Sequence, residues 1–246
     1  MRTLRALWRL TRCFLHALQG VLICAALFPW LAPARRMQVV GRWSAQLLGV
    51  LGVELRISGT ARTGPVLLVA NHVSWLDILA INAVQPARFV SKADVRHWPV
   101  MGWMVACGGT LFIERERKRD ALRVVHQVAE ALKAGETIAV FPEGTTGDGH
   151  ALLPFHANLL QAAIATETPV QPIALRYSDQ RDAVSAAAAY IGDTSLAQSV
   201  WWIVCADGLT VTVQLLLPEG TRQLERRALA ERLQGQIAQA LVQPLP

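Results

Sequence analysis

Val66-Leu67-Leu68-Val69-Ala70 is followed by Asn71-His72-Val73-Ser74 and then by Trp75-Leu76-Asp77-Ile78-Leu79-Ala80-Ile81. The first run is continuously apolar and has the length of a strand buried on both faces. The last carries its apolar residues in a helical pattern. The residues between them mark a hand-over from strand to helix, the place where open α/β sheets hold their ligands. His72 stands at that hand-over, and Asp77 falls in the first helical turn beyond it. A carboxylate there can turn back and accept the imidazole Nδ1–H, which fixes the tautomer and leaves Nε2 as a general base. This is the base-and-orienter half of a hydrolase triad without a protein nucleophile, so the chemistry implied is removal of a proton from a substrate hydroxyl. Ser74-x-x-Asp77 also fits a capping box in which Asp77 only closes the helix start. The heptapeptide alone leaves both readings open.

Around this turn the chain has enough length, 246 residues, for one sizeable domain with a real core. It is 52% hydrophobic and only 17% charged, with a formal net charge of +6. Apolar and basic together point to an anionic membrane surface before nucleic acid, whose binders interleave Lys, Arg and aromatics on a polar background. The 8 Trp residues are of the type favoured at membrane interfaces. Cys13, Cys24, Cys107 and Cys205 make no CxxC pair and no zinc spacing, and read as thiols in a reducing compartment. Beyond the His72–Asp77 pair, no His, Asp, Glu or Cys cluster has ligand spacing, so no metal is expected.

Residues 1–36 read as a membrane-anchoring helical arm. Arg2, Arg5, Arg9 and Arg12 stand among Leu and Trp, and Phe14 to Ala34 is apolar over about the twenty residues that cross a hydrocarbon core. The arm either spans or lies in the headgroup plane, and is expected to break into two helices near Pro29 to Pro33. Ala32-Pro33-Ala34 is a poor cleavage site, which argues against a signal peptide. From residue 37 to 246, strand and helix patterns alternate. Strands are expected at Val53–Ile57, Val66–Ala70, Arg88–Ser91, Thr110–Ile113, Thr137–Phe141, Val170–Arg176 and Thr210–Leu217. Helices are expected at Gln38–Val50, after Trp75, at Asp120–Lys133, Asn158–Ala165 and Glu225–Leu241, with a short membrane-near helix in Trp98–Val105. Pro172 marks its strand as an edge or a bulge, and the weak patterns from Ser185 to Ala206 read as an insertion. The fold class is α/β: a mixed, mostly parallel sheet flanked by helices, with the N-terminal arm attached.

Other strand ends carry residues that suit an anionic ligand. Arg115 follows the Thr110–Ile113 strand, and Arg is the side chain for bidentate phosphate binding. Phe141-Pro142-Glu143-Gly144-Thr145 ends another strand in a glycine turn that offers backbone N–H groups. Glu143 needs a partner if buried, and Arg115 could supply one.

Taken in order, these blocks resemble the glycerolipid acyltransferase family that includes the lysophosphatidic acid acyltransferases. Asn71-His72 with Asp77 matches its first block. Gly109, Phe112, Ile113 and Arg115 match the second, Phe141 to Thr145 the third, and the surroundings of Pro172 loosely the fourth. The resemblance covers about residues 60 to 180. It implies an O-acyltransferase domain over 37–246, with His72 as base and Asp77 as its partner. It implies that Asn71, Arg115, Glu143, Gly144 and Thr145 bind the acceptor, and that oxyanion donors lie near Gly144. The donor implied is a thioester, acyl-CoA or acyl carrier protein, with no further cofactor. The acceptor is a lyso-lipid such as lysophosphatidic acid, giving phosphatidic acid at the cytoplasmic face of a bacterial inner membrane. One departure stands out: the family pattern usually continues Glu-Gly-Thr-Arg-Ser, whereas here Thr145 precedes Thr146-Gly147-Asp148-Gly149. That version is similar to the bacterial branch that forms ornithine lipids.

Overall fold

The computed structural model describes residues 2–113 and 118–243. Its centre is β2 (Val66–Ala70), every residue of which is buried. With β1 (Glu54–Ser58), β3 (Arg88–Lys92), β4 (Leu111–Ile113), β5 (Thr137–Val140), β6 (Val170–Ser178) and β7 (Thr210–Leu215) it forms a sheet of order β1-β7-β6-β2-β5-β3-β4. Every neighbouring pair is parallel except β6 with β7. The mixed, mostly parallel sheet expected from the alternating pattern is the one that forms.

Because successive side chains of a strand point to opposite faces, β2 feeds two cores. Val66, Leu68 and Ala70 join Ile173, Leu175 and Tyr177 beneath α2 (Pro33–Leu51), α3 (Leu76–Val84) and α7 (Leu196–Cys205). Leu67 and Val69 join Ile138 and Val140 beneath α5 (Lys118–Lys133), α6 (Leu160–Ala165) and α8 (Arg226–Val242). This double covering explains why β2 reads as an unbroken apolar run rather than an alternating one. The short α4 (Met101–Cys107) lies where the Trp98–Val105 helix was expected, and Trp98 and Val100 just before it and Trp103 within it are exposed.

α1 (Arg2–Leu22) continues through a π-helical stretch, Ile23–Leu27, and a 3₁₀ turn, Phe28–Trp30, before the chain breaks and α2 begins at Pro33. Proline suits that first helical position, where its missing N–H would have had no intrahelical partner. The helical run Thr3–Trp30 is long and apolar enough to cross a membrane. It turns Trp8, Phe14, Leu15, Leu18, Leu22 and Trp30 outward. Its other side belongs to the domain: Ala6 is fully buried in the main core, and Arg9 Nη1 donates to the carbonyls of Val204 and Ala206 at 3.0 and 3.3 Å.

Two sequence expectations change. Of the two places expected for Pro172, an edge or a bulge, the edge is excluded, since β6 lies between β2 and β7. The bridge of Val170 with Glu219 is one residue out of register with the pair Ile173–Leu215, so Pro172 sits at an irregularity of the pairing. The β6–β7 ladder starts only at Ile173, while Pro172's carbonyl accepts from Leu216 N at 2.9 Å. Its nitrogen faces the same β7 side, and the Leu216 carbonyl, which an N–H at this position would meet, accepts from Gln171 Nε2 at 2.9 Å instead. The Ser185–Ala206 stretch contains α7, whose start is fixed by a reciprocal capping box between Ser195 and Gln198.

Candidate active site

The turn after β2 is held closed by one carboxylate. Asp77, fully buried, receives His72 Nδ1 at 2.7 Å, Val73 N at 2.7 Å and Ser74 N at 2.9 Å, all on Oδ2. Its other oxygen, Oδ1, receives Tyr177 Oη at 2.6 Å. The same oxygen that ties the helix start through Val73 N and Ser74 N also orients the imidazole, so the capping contacts and the imidazole contact coexist. With Nδ1 donating to Asp77, Nε2 carries the lone pair. Among the described residues Nε2 has no hydrogen-bond partner.

The ring is also fixed from its faces. Phe141, at the end of β5, stacks on it with centroids 3.9 Å apart and planes 7° from parallel, and Phe89 backs Phe141 at 5.8 Å. The backbone of the same turn is tied on both sides, with Gly147 N donating to His72 O at 2.8 Å and Tyr190 N to Val73 O at 3.0 Å. Trp75 Nε1 reaches Ser199 Oγ on α7 at 3.0 Å, so the segment that looked like an insertion braces this turn.

Glu143 is 5% exposed and uses both oxygens on the backbone: His72 N donates to Oε1 at 2.7 Å and Leu153 N to Oε2 at 2.8 Å. Burial pushes its carboxyl above the ordinary range, against the opposing pull of those N–H donors. The partner expected from sequence, Arg115, lies outside the described residues. Glu143 thus holds two loops together through both of its oxygens. Asn71 behaves likewise. Its amide donates to Leu175 O at 2.9 Å and accepts from Leu175 N at 2.7 Å, which pins the end of β2 to β6. Gly144 adopts φ 75°, the left-handed region that glycine tolerates, and its N–H closes the turn onto Phe141 O at 3.1 Å. With Gly147 N bound to His72 O, neither glycine N–H of this turn is aimed outward at an oxyanion. Thr145 is exposed beside them. Thr146 Oγ1 donates to Tyr190 O. No group of His, Cys, Asp and Glu that could hold a metal occurs among the described residues.

Sequence reading missed Tyr177, Tyr190 and Leu153. The first is a lone aromatic on a β-strand, and the others act through backbone atoms that leave no trace in residue type.

A histidine oriented by a buried carboxylate thus stands at the C-terminal end of a parallel strand, with no Ser or Cys side chain bonded to it among the described residues, an arrangement suited to taking a proton from a substrate hydroxyl. The acyltransferase family model matches residues 53–176. The chain is 40% identical to the lyso-ornithine lipid O-acyltransferase of Pseudomonas aeruginosa, covering 84% of this chain and 79% of that protein. It is 36% identical to the 1-acyl-sn-glycerol-3-phosphate acyltransferase of Neisseria meningitidis, over 83% of this chain and 81% of that one. The fold is that of the crystal structure of the 1-acyl-sn-glycerophosphate (LPA) acyltransferase PlsC from Thermotoga maritima, with a TM-score of 0.71, 17% identity and 100% of both chains covered. The chain belongs to the acyltransferase family and is an acyltransferase of the 1-acylglycerol-3-phosphate O-acyltransferase type.

Proposed function

We propose that the protein moves a fatty acyl group from a thioester, acyl-CoA or acyl carrier protein, to the free hydroxyl of a lyso-lipid at the cytoplasmic face of a bacterial inner membrane. The observation that carries this reading is the His72 Nδ1–Asp77 Oδ2 bond at 2.7 Å, which leaves Nε2 as the open basic atom of the turn. The acceptor hydroxyl gives its proton to Nε2 as its oxygen attacks the thioester carbonyl. The tetrahedral intermediate collapses, the carbon–sulfur bond breaks, and the departing thiolate takes the proton back from the imidazolium. The products are an ester and a free thiol, and Asp77 stabilises the imidazolium between the two proton transfers. Arg115, on the chain just beyond β4, is the cation for an anionic group of the acceptor. Residues 1–36 serve as the anchor, with the outward side chains of α1 in the lipid and the rest of the chain, 37–246, as the catalytic domain.

The head group favoured is that of a lyso-ornithine lipid. The turn from Gly144 to His150 contains Asp148 and neither Lys nor Arg. Such a turn accommodates an ammonium group better than a second phosphate charge. A second reading, lysophosphatidic acid as acceptor and phosphatidic acid as product, is favoured by the Neisseria relative at 36% identity. The test supplies purified protein in lipid micelles with acyl-CoA or acyl carrier protein, and with lyso-ornithine lipid or lysophosphatidic acid. Thiol release that needs a lyso-lipid supports transfer, and faster release with lyso-ornithine lipid supports the head-group assignment. Thiol release at the same rate with no lyso-lipid present would make the protein a thioester hydrolase instead.

A further inference from the structure

Asp77 is saturated by four donors, and three of them are local to its own turn: the imidazole of His72 and the N–H groups of Val73 and Ser74. The fourth arrives from another strand. Tyr177 lies on β6 opposite Val211 of β7, is 2% exposed, and places its hydroxyl 2.6 Å from Oδ1. Oδ1 has no other donor among the described residues. A carboxylate held only through Oδ2 could rotate about its terminal torsion, which is broad for Asp. A donor on Oδ1 stops that rotation and keeps Oδ2 directed at Nδ1. Hydrogen bonding to a carboxylate also withdraws charge from it, and so weakens its pull on a neighbouring imidazolium. The phenol suits this task because burial, and then the charge of Asp77, hold it protonated well above the ordinary tyrosine range. It therefore stays a donor well above the pH at which an ordinary tyrosine ionises.

We propose that Tyr177 is a positioning residue for acyl transfer, locking the Asp77 carboxylate through Oδ1 and setting the basicity of His72 from across the sheet. The inference rests on the reading of His72 as the base. Among the described residues the titratable groups that face this centre are His72 on its turn, Asp77 on α3, Glu143 beyond β5 and Tyr177 on β6. Glu143 keeps its own N–H partners when the phenol is lost, so a change at Tyr177 reports on the Asp77–His72 pair.

The experiment compares Tyr177→Phe with the wild type in full-length protein, reading kcat, acceptor KM and the acid limb of kcat/KM against pH. Removing the hydroxyl leaves Asp77 with undiluted charge. The acid limb, which follows imidazole protonation, should therefore move up by about half a pH unit or more, while kcat falls by about tenfold and acceptor KM stays unchanged. Val211→Ala removes packing at the cross-strand partner without touching the hydrogen bond, and should lower the melting temperature with the acid limb in place. If Tyr177→Phe does not fold, 3-fluorotyrosine at position 177 supplies a stronger donor of nearly the same shape, and the acid limb should move down. An unmoved acid limb in both Tyr177 variants, or the same shift in Val211→Ala, overturns the proposal. Failure of the underlying reading looks different: His72→Ala would then keep its turnover, whatever Tyr177 does.

Discussion

The turns that follow β2 and β5 leave adjacent parallel strands, paired with Val69 opposite Val140, and emerge at the same edge of the sheet. Each carries one buried carboxylate, and the two serve different ends. Asp77 collects donors from within its own turn and directs the imidazole. Glu143 reaches out of its turn, holding the His72 backbone with one oxygen and the Leu153 backbone with the other. The first turn is thus an instrument and the second its clamp. Acidic residues that look alike as candidate ligand groups are separated by what donates to them. A carboxylate whose two oxygens are both taken by distant backbone N–H groups holds loops together, and one that shares an oxygen with an imidazole also orients that ring.

The sharpest way to break this contrast is to remove the chemistry and leave the clamp. His72→Ala should lower turnover by about 10⁴-fold, the upper range for a positioned general base. Asp77→Asn should lower it by about 10³- to 10⁴-fold, the upper figure being what the loss of an orienting carboxylate costs a hydrolase triad. The asparagine is accommodated, because Tyr177 can turn its hydroxyl to accept from an amide N–H while the remaining oxygen keeps the three donors of the turn. Both variants should therefore melt near the wild-type temperature. Steady-state kinetics beside a melting curve checks this, and near wild-type turnover in either variant would remove His72 or Asp77 from the mechanism.

Glu143→Gln breaks the clamp instead. An amide has one acceptor oxygen, so one of the N–H groups of His72 and Leu153 is left facing an NH₂. A lost buried bond to a charged group corresponds to about 1.5–3 kcal/mol. The melting temperature should fall, and turnover should fall by about tenfold to a hundredfold through loosening of the His72 backbone. Lost activity with unchanged melting would instead give Glu143 a direct role at the substrate.

How much of this was legible before the structure follows from distance along the chain. His72 and Asp77 are five positions apart, and both lie on one strand-to-helix turn, so residue type and spacing sufficed. The double-sided burial of β2 was written in its unbroken apolar run. Tyr177 sits 100 positions from Asp77, and no local pattern joins a tyrosine on β6 to an aspartate on α3. Glu143 was matched with Arg115 because a buried carboxylate invites a cation, and backbone donors have no letter in the sequence. Pro172 fitted an edge or a bulge equally well, and only the structure shows that a side chain, Gln171 Nε2, fills the Leu216 carbonyl that the missing N–H leaves, which lets a proline sit inside the sheet. α7 carried a signal that went unread, the capping box from Ser195 to Gln198.

The arm offers a weaker test of the same division between holding and acting. Deleting residues 1–36 would strip Ala6 from the core and Arg9 from the end of α7, and would confuse anchoring with folding. Replacing Trp8, Phe14 and Trp30 with Glu changes only outward side chains, Trp30 being 85% exposed. Affinity for anionic vesicles in a flotation assay should drop by about tenfold or more, since each buried aromatic contributes on the order of 1.5–3 kcal/mol. Activity on detergent-dispersed substrate should remain. Unaltered flotation would move the anchor elsewhere, to the exposed Trp98, Val100 and Trp103 around α4.

The smallest expected effect lies at Thr146, in the clamp's own turn. Its hydroxyl donates to Tyr190 O, while Tyr190 N donates to Val73 O, so position 146 is linked to the His72 turn through one residue. Thr146→Arg therefore does two things, cutting that link and adding a cation beside the exposed Thr145. Thr146→Val does only the first and serves as the reference. The measured quantity is the ratio of transfer rates onto lysophosphatidic acid and lyso-ornithine lipid. Cutting the link slows both acceptors together and leaves the ratio alone. The added guanidinium should attract a phosphate monoester and repel an ammonium, raising the ratio by several-fold and by no more than about tenfold, because an exposed charge contributes at most about 1 kcal/mol to each acceptor. A ratio equal to that of Thr146→Val would mean that the turn after Glu143 does not meet the head group. Discrimination between acceptors would then fall to the chain beyond β4, where Arg115 lies.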